Sequence, residues 1–322
     1  MKKALFLLLL LPFAFAACDK KVDKSATSAK INEVSIIIDD QLWKGEIGDS
    51  LRNKFASPVI GLPQEEPLFT INQYPVKLFE GYMTDSRNII VIKKGEPYYE
   101  IREDQFTKPQ NVVYIHGKTT AQILDTIEKN YPTIIQKIRA TEIRQAQQQL
   151  SKHLPNDKSL DKKFKIALDI PQDYKIVMQR RRFLWFKKEI TSGSMSVIAY
   201  EVPASRFGRD LTVNDIVKSR DSIGKRYIHG TKRNTEMVTE NSYAPYFATV
   251  KLDGRTALET RGNWELNNDF MSGPFLNYCI YDGAKNRYIV IEGFCYAPSR
   301  EKRDLMFELE AMLKSVRFTK KK

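Results

Sequence analysis

Histidine and cysteine are scarce in this chain of 322 residues, with three of each. The histidines are His116, His153 and His229, and no two stand at the i, i+3 or i, i+4 spacing that brings two imidazoles onto one metal. Asp39-Asp40 and Asn267-Asn268-Asp269 carry oxygen donors, but each reads as a helix cap or a turn rather than a calcium site. No phosphate-cradling glycine loop occurs. No metal or cofactor is therefore expected. After the N-terminus there is no second long hydrophobic run, so no later segment is expected to cross a membrane as a helix.

The same scarcity removes a tempting catalytic motif. Gly48-Asp49-Ser50-Leu51 resembles the nucleophile block of a large esterase and lipase family, which takes the serine proton with the histidine of a C-terminal Asp-x-x-His. Here the residues three places before the histidines are Val113, Leu150 and Arg226. Ser50 also falls inside a helical stripe, not directly after a strand. It is read as an ordinary helix residue, and no catalytic residue is assigned.

What the sequence does contain begins with its first residues. Lys2 and Lys3 precede an almost unbroken apolar run from Ala4 to Ala17. That run is shorter than the ~20 residues a spanning helix needs and reads as a secretory signal over residues 1–17. Phe15-Ala16-Ala17-Cys18 resembles the lipobox of bacterial prolipoproteins, with Phe in place of the commoner Leu. The resemblance implies cleavage before Cys18 and acylation of its thiol, and two or more acyl chains hold a protein stably on a membrane. Residues 18–32 are polar, rich in Lys, Ser and Ala, and read as a lipidated tether spanning roughly 20 Å. Asp19-Lys20-Lys21 lack the acidic cluster associated with surface display in such lipoproteins. An outer-membrane protein facing the periplasm is expected.

Lys and Arg number 52 against 39 Asp and Glu, a net charge of +13, and signal cleavage would remove two of the positive charges. In an exported protein this surplus meets anionic headgroups and envelope polymers first, so nucleic acid is not an expected partner. Cys279 and Cys295 flank an apparent hairpin turning at Asp282–Asn286. That turn predicts Tyr281 opposite Arg287 and Cys279 opposite Ile289, with both cysteines on one sheet face. They would lie about 20 Å apart, beyond the ~7 Å reach of a disulfide, and two buried free thiols are expected.

Two domains are expected, over residues 33–154 and 162–322. In the first, Val34–Ile38 predicts a strand, and Asp39 or Asp40 would cap a helix carrying Trp43, Ile47, Leu51 and Phe55. Strands follow at Leu68–Asn72, Asn88–Lys93, Tyr98–Arg102 and Val112–His116. Thr119 and Gln122 form a capping box for a helical region reaching about Leu154, which Asn130-Tyr131-Pro132 should divide into two helices. Pro155–Asp161 reads as the linker. The second domain alternates apolar and polar residues over Phe164–Ile170, Lys175–Gln179, Phe183–Lys187 and Met195–Glu201, all predicted strands. Thr212 and Asp215 cap a helix; strands follow at Tyr246–Leu252, Ala257–Leu266, Phe275–Tyr281 and Arg287–Tyr296. Pro298-Ser299 should open a last helix with Leu305, Leu309, Met312, Leu313 and Val316 buried. The fold class is α+β: two sandwich domains, their sheets largely antiparallel and covered by helices, joined by a helical segment.

Thr260-Arg261-Gly262-Asn263-Trp264, Asp269-Phe270-Met271-Ser272-Gly273-Pro274-Phe275 and Glu292-Gly293-Phe294-Cys295-Tyr296-Ala297-Pro298 resemble a family of Bacteroidetes lipoproteins catalogued as a domain of unknown function, DUF4837. Phe183-Leu184-Trp185 and Tyr227-Ile228-His229-Gly230 carry the same resemblance. It implies no activity, substrate or cofactor. The second domain is also similar to the fold of PsbP and Mog1, which act as binding modules, a likeness of fold alone.

Two surfaces are candidates for contact. The Asn267–Pro274 loop, with Arg261, Asp269, Phe270 and Gly273, is least explained by strand packing and is the candidate partner surface. Arg180, Arg181 and Arg182, before Phe183–Phe186, could meet an anionic lipid or polymer, although a strand with a solvated basic end explains them as well. The expected role is a lipid-anchored, non-catalytic binding or assembly module with an envelope protein or an anionic surface as partner. The alternative is an envelope enzyme using two of Asp169, Glu201, Glu259, Glu265 and Asp269. Two carboxylates facing one pocket would favour the enzyme.

Overall fold

A computed structural model describes residues 30–207 and 211–319. The signal segment, Cys18 and the tether up to residue 29 lie outside the described residues.

The first domain runs β1 (Glu33–Ile37), α1 (Asp40–Trp43), α2 (Glu46–Phe55), β2 (Thr70–Tyr74), β3 (Asn88–Lys94), β4 (Tyr98–Glu103), β5 (Asn111–Gly117) and α3 (Thr120–Leu150). Its sheet has the order β2-β1-β3-β5-β4. The pairs β1–β2, β1–β3 and β3–β5 are parallel, and β4 joins antiparallel at the edge. This sheet therefore departs from the antiparallel expectation. Both its faces are covered: Ile36, Ile90, Ile92 and Val113 pack on α2 and α3, while Ile37, Ile89, Val91 and Val112 pack under Val76, Phe79 and Phe106.

The helix expected over Trp43–Phe55 is two helices. A Cβ on Gly48 would sit 1.7 Å from the Trp43 carbonyl oxygen, so only glycine lets α2 fold back onto the end of α1. Asp39 holds the cap position of α1 but makes no side-chain cap hydrogen bond. Conversely, α3 is one continuous helix of 31 residues with Pro132 inside it. Proline there removes a backbone hydrogen bond and costs about 3 kcal/mol in an unsupported helix. Ile123 and Ile127 before it and Ile134 and Ile138 after it enter the same core, and this shared burial keeps the axis unbroken.

The second domain runs α4 (Ser159–Phe164), β6 (Ile166–Ala167), β7 (Lys175–Arg180), β8 (Phe183–Ile190), β9 (Gly193–Pro203), α5 (Val213–Tyr227), β10 (Met237–Thr239), β11 (Tyr246–Leu252), β12 (Arg255–Leu266), β13 (Ser272–Asp282), β14 (Arg287–Tyr296), α6 (Arg303–Lys314) and β15 (Arg317–Phe318). Its large sheet, ordered β10-β12-β13-β14-β9-β8-β7 with β11 also on β12, is antiparallel throughout. One face, with Val197, Ala199, Ile289 and Ile291, packs on Leu309, Met312 and Leu313 of α6. The other, with Ile198, Tyr200, Val290 and Phe294, packs on Ile216 of α5. The two helices thus cover opposite faces.

Three expectations fail locally here. The strand expected over Phe164–Ile170 is the end of α4 followed by β6, because Lys165 turns left-handed (φ 61°) and stops the helix. Helix α6 begins at Arg303, five residues after Pro298, for a reason that lies in the first domain. The β13–β14 turn is one residue shorter than expected, so Asp282 faces Arg287, Tyr281 faces Tyr288 and Cys279 faces Val290. A one-residue slip reverses the faces of a strand. Cys279 and Cys295 accordingly lie in cores on opposite sides of the sheet, both buried free thiols.

Candidate functional site

Helix α3 is roughly 46 Å long at 1.5 Å per residue, far more than its own sheet can cover. Its C-terminal half lies on α6, where Ala146, Phe307 and Ala311 are buried together and Gln147 Nε2 donates to the Ala311 carbonyl at 3.0 Å. Charges stitch the same seam. Glu310 of α6 accepts from Arg139 of α3 at 2.6 Å, pairs with Arg261 of β12 at 3.1 Å, and accepts from Lys314 at 2.6 Å. Burial works against its charge, and the cations Arg261, Arg139 and Lys314 overcome it, holding the Glu310 carboxyl well below the usual carboxylate range. Buried Glu142 of α3 binds Arg87 Nε and Asn88 Nδ2, both at 2.6 Å, and Asn32 Nδ2 reaches across to Asp304 at 3.0 Å.

Beside this contact a groove of about 900 Å³ opens between the domains. Its lining has apolar members, Ile31, Ala146, Leu150 and Leu305, and charged ones, among them Asp173, Lys188, Asp304 and Glu308. Lys188 Nζ lies 2.9 Å from Asp173 and 3.4 Å from Glu308, and the Tyr174 hydroxyl donates to Glu308 at 3.4 Å. Burial would lower the Lys188 ammonium, but the two carboxylates outweigh it and raise it. Asp304 faces Arg303 at 2.9 Å. This is a pocket that can hold a partly apolar molecule of ordinary ligand size. Among the described residues no group of three or more His, Cys, Asp and Glu could hold a metal ion.

The residues singled out from sequence lie elsewhere. Arg261 is only 15% exposed and pairs with Glu259 at 2.7 Å as well as with Glu310, so its guanidinium is engaged in the seam. Asp269 pairs with Lys232 at 3.0 Å and accepts from the Phe270 N–H at 2.8 Å, which holds Phe270 outward at 98% exposure. Gly273 is buried, and a Cβ on it would meet the Cys295 carbonyl oxygen at 2.1 Å, so its role is to let β14 approach. Arg180, Arg181 and Arg182 are exposed on the β7–β8 turn, and Arg182 pairs with Glu201 at 3.0 Å. The five carboxylates proposed for an enzyme do not converge. Asp169 faces Arg317, Glu201 faces Arg287 and Arg182, Glu259 faces Arg261, Asp269 faces Lys232, Glu265 is exposed, and none lines the groove. Ser50 lies within α2.

The profile of DUF4837, a domain of unknown function, matches residues 153–315. The chain belongs to this family. A second domain of unknown function, DUF8532, matches residues 27–151. No curated protein matches. Among solved structures, a Bacteroides thetaiotaomicron protein is similar at 13% identity and a TM-score of 0.27, over 49% of this chain and 46% of that one. The chain thus spans about half the length of that relative. The Saccharomyces cerevisiae Ran-binding protein Mog1p is similar at 8% identity and a TM-score of 0.32, over 48% of this chain and 90% of its own. LpqN of Mycobacterium tuberculosis, described as involved in cell envelope biogenesis, is similar at 12% identity and a TM-score of 0.30, over 48% of this chain and 83% of its own. The groove joins residues from both matched segments, Ile31 and Leu150 from one, Asp173 and Glu308 from the other. Pattern reading missed it because its walls come from six separated stretches; the signal available was Leu150, on the apolar stripe of α3, which packs against the core of the second domain rather than its own sheet.

Proposed function

We propose that this DUF4837 protein is a lipid-anchored envelope protein, held through acylated Cys18 on the periplasmic face of the outer membrane, and that it is a non-catalytic module binding an amphiphilic molecule in the groove between its domains. The observation that carries the reading is the groove itself, whose lining combines apolar Ile31, Ala146, Leu150 and Leu305 with paired charges. Such a lining suits a molecule with an apolar tail and a polar end. Asp173 and Glu308 do face one pocket, and an envelope enzyme acting through them is the second reading. General acid and base need carboxylates with different environments, whereas here a single ammonium serves both. Binding is therefore the stronger reading.

The test uses the mature chain with Cys18→Ser, which needs no detergent, titrated with a fluorescent fatty-acid probe. Saturable binding at one site, lost in Leu150→Arg, is the expected result. Absence of saturable binding by the unsubstituted groove would sink the reading, and turnover of lipid or cell-wall polymer abolished by Glu308→Gln would replace it with the enzyme.

A further inference from the structure

A second cleft, of about 440 Å³, lies on the second domain away from the groove. It is bounded by the β7–β8 turn, by the end of β9 with the turn after it, and by one face of α5. Lys218, Ser222 and Arg226 recur every fourth residue along α5 and so share that face. Arg181 and Arg182 come from the β turn and Arg206 from the turn after β9. Five cations thus surround a small volume that contains two carboxylates, Glu201 and Asp215.

Glu201 neutralises Arg182, and among the described residues neither carboxylate forms an ion pair with the other four cations. Glu201 is engaged by the largely buried Arg287, which Asp282 and the Phe164 carbonyl also hold, and its other oxygen meets Arg182 at 3.0 Å. Asp215 is committed to the start of α5, accepting from the Thr212 N–H at 3.0 Å and the Thr212 hydroxyl at 2.7 Å. Among the described residues no ion pair involves Arg181, Arg206, Lys218 or Arg226. Val202, Pro203, Phe207, Ile223 and Tyr227 give the lining an apolar and aromatic part, and Tyr227 is fixed by stacking on Phe183 at 4.4 Å between ring centroids. An apolar backing weakens solvent screening and strengthens what the cations do to an anion.

We propose that this cleft binds a phosphate group, carried either on a lipid headgroup or on a soluble phosphorylated molecule. Guanidinium forks pair two-pronged with phosphate oxygens, a lysine ammonium adds a compact charge, and the Ser219 and Ser222 hydroxyls supply neutral donors. The volume of about 440 Å³ suits one phosphorylated headgroup. Arg180, on the same turn, is not part of the cleft.

The experiment uses the mature chain with Cys18→Ser, so that no acyl anchor contributes. Glycerol 3-phosphate is titrated in one arm, and phosphatidylcholine vesicles with and without phosphatidic acid in the other. Saturable binding in either arm, weakened roughly tenfold or more by K218Q/R226Q and unchanged by K251Q on β11, which does not line the cleft, is expected. Binding in the soluble arm assigns a soluble phosphorylated ligand; binding to phosphatidic acid vesicles alone assigns a lipid headgroup. No binding in both arms, or binding that K218Q/R226Q leaves unchanged, overturns the proposal. Should K218Q/R226Q melt early, R181Q, on an exposed turn, carries the same comparison.

Discussion

Glu66, in the loop before β2, caps a helix of the other domain: its carboxylate accepts the Lys302 N–H at 2.8 and 2.9 Å and the Arg303 N–H at 2.7 Å. The first amides of a helix have no intrahelical partner, and a carboxylate there also meets the positive end of the helix dipole. This contact decides where α6 begins. Arg303 then reaches back to the Pro67 carbonyl at 3.1 Å and the Thr70 hydroxyl at 3.0 Å, so the cap is locked from both sides.

Glu66→Ala is accordingly expected to destabilise the protein by about 1 to 2 kcal/mol, the usual cost of a lost cap. Glu66→Gln, which keeps an acceptor, should recover part of it. Thermal melts followed by fluorescence and by circular dichroism would check this; an unshifted Glu66→Ala melt would mean the cap contributes nothing.

Glu310 makes the seam sensitive to acid. A carboxyl held below its unfolded value adds stability above the unfolded pKa of about 4 and loses it as the pH falls through the lower folded value. Glu310→Gln is expected to cost about 3–5 kcal/mol at neutral pH, because it leaves Arg139 short of its partner in a buried site. Below pH 4 the difference from the unsubstituted protein should shrink. Urea melts at several pH values would measure it, and a pH-independent difference would contradict the argument.

Burial pushes the Cys295 thiol up to about 12 and the Cys279 thiol up as well, and the two lie on opposite faces of one sheet. Neither is expected to react with a maleimide at pH 7.5 in the native protein, and both should react in denaturant. Recovery of a Cys279–Cys295 disulfide from the envelope would refute the register of β13 and β14.

Phe270 touches little, so Phe270→Ser should change stability by less than about 0.5 kcal/mol. A partner crosslinked to the intact protein in cells and lost with Phe270→Ser would then report an interface rather than a folding defect. Retention of every crosslinked partner would remove the Asn267–Pro274 loop from consideration.

If the proposed acyl chains on Cys18 are the anchor, changing Cys18 to Ser should move the mature protein from the membrane to the soluble fraction. Fractionation with palmitate labelling checks this, and a membrane-bound, unlabelled wild type would refute acylation.

Local pattern was readable wherever burial repeats with the period of the element. The strands of the large sheet bury one residue set on each face, and their places were legible to within a few residues except for the three-residue edge strand β10, too short to show a period. The apolar run Ile89-Ile90-Val91-Ile92 also carried more than was taken from it. Continuous apolar strands mark a parallel sheet covered on both faces, and β3 has that character. Pro132 misled because a proline is judged by the helix it interrupts, while its cost here is met by packing from the sheet. The groove and the cationic cleft were not legible, since no periodicity connects Ile31 with Leu305 or Arg181 with Arg226.

By itself the sequence determined the α+β composition, the membership in DUF4837 and the capping of α5 by Thr212 and Asp215, because these depend on residues close together along the chain. Only the tertiary structure decided the start of α6, the faces of the two cysteines, the burial of Arg261 and the two clefts. Each depends on which distant residue supplies the partner charge or the covering side chain, and the same arginine is a docking group or a buried strut according to whether Glu310 stands beside it.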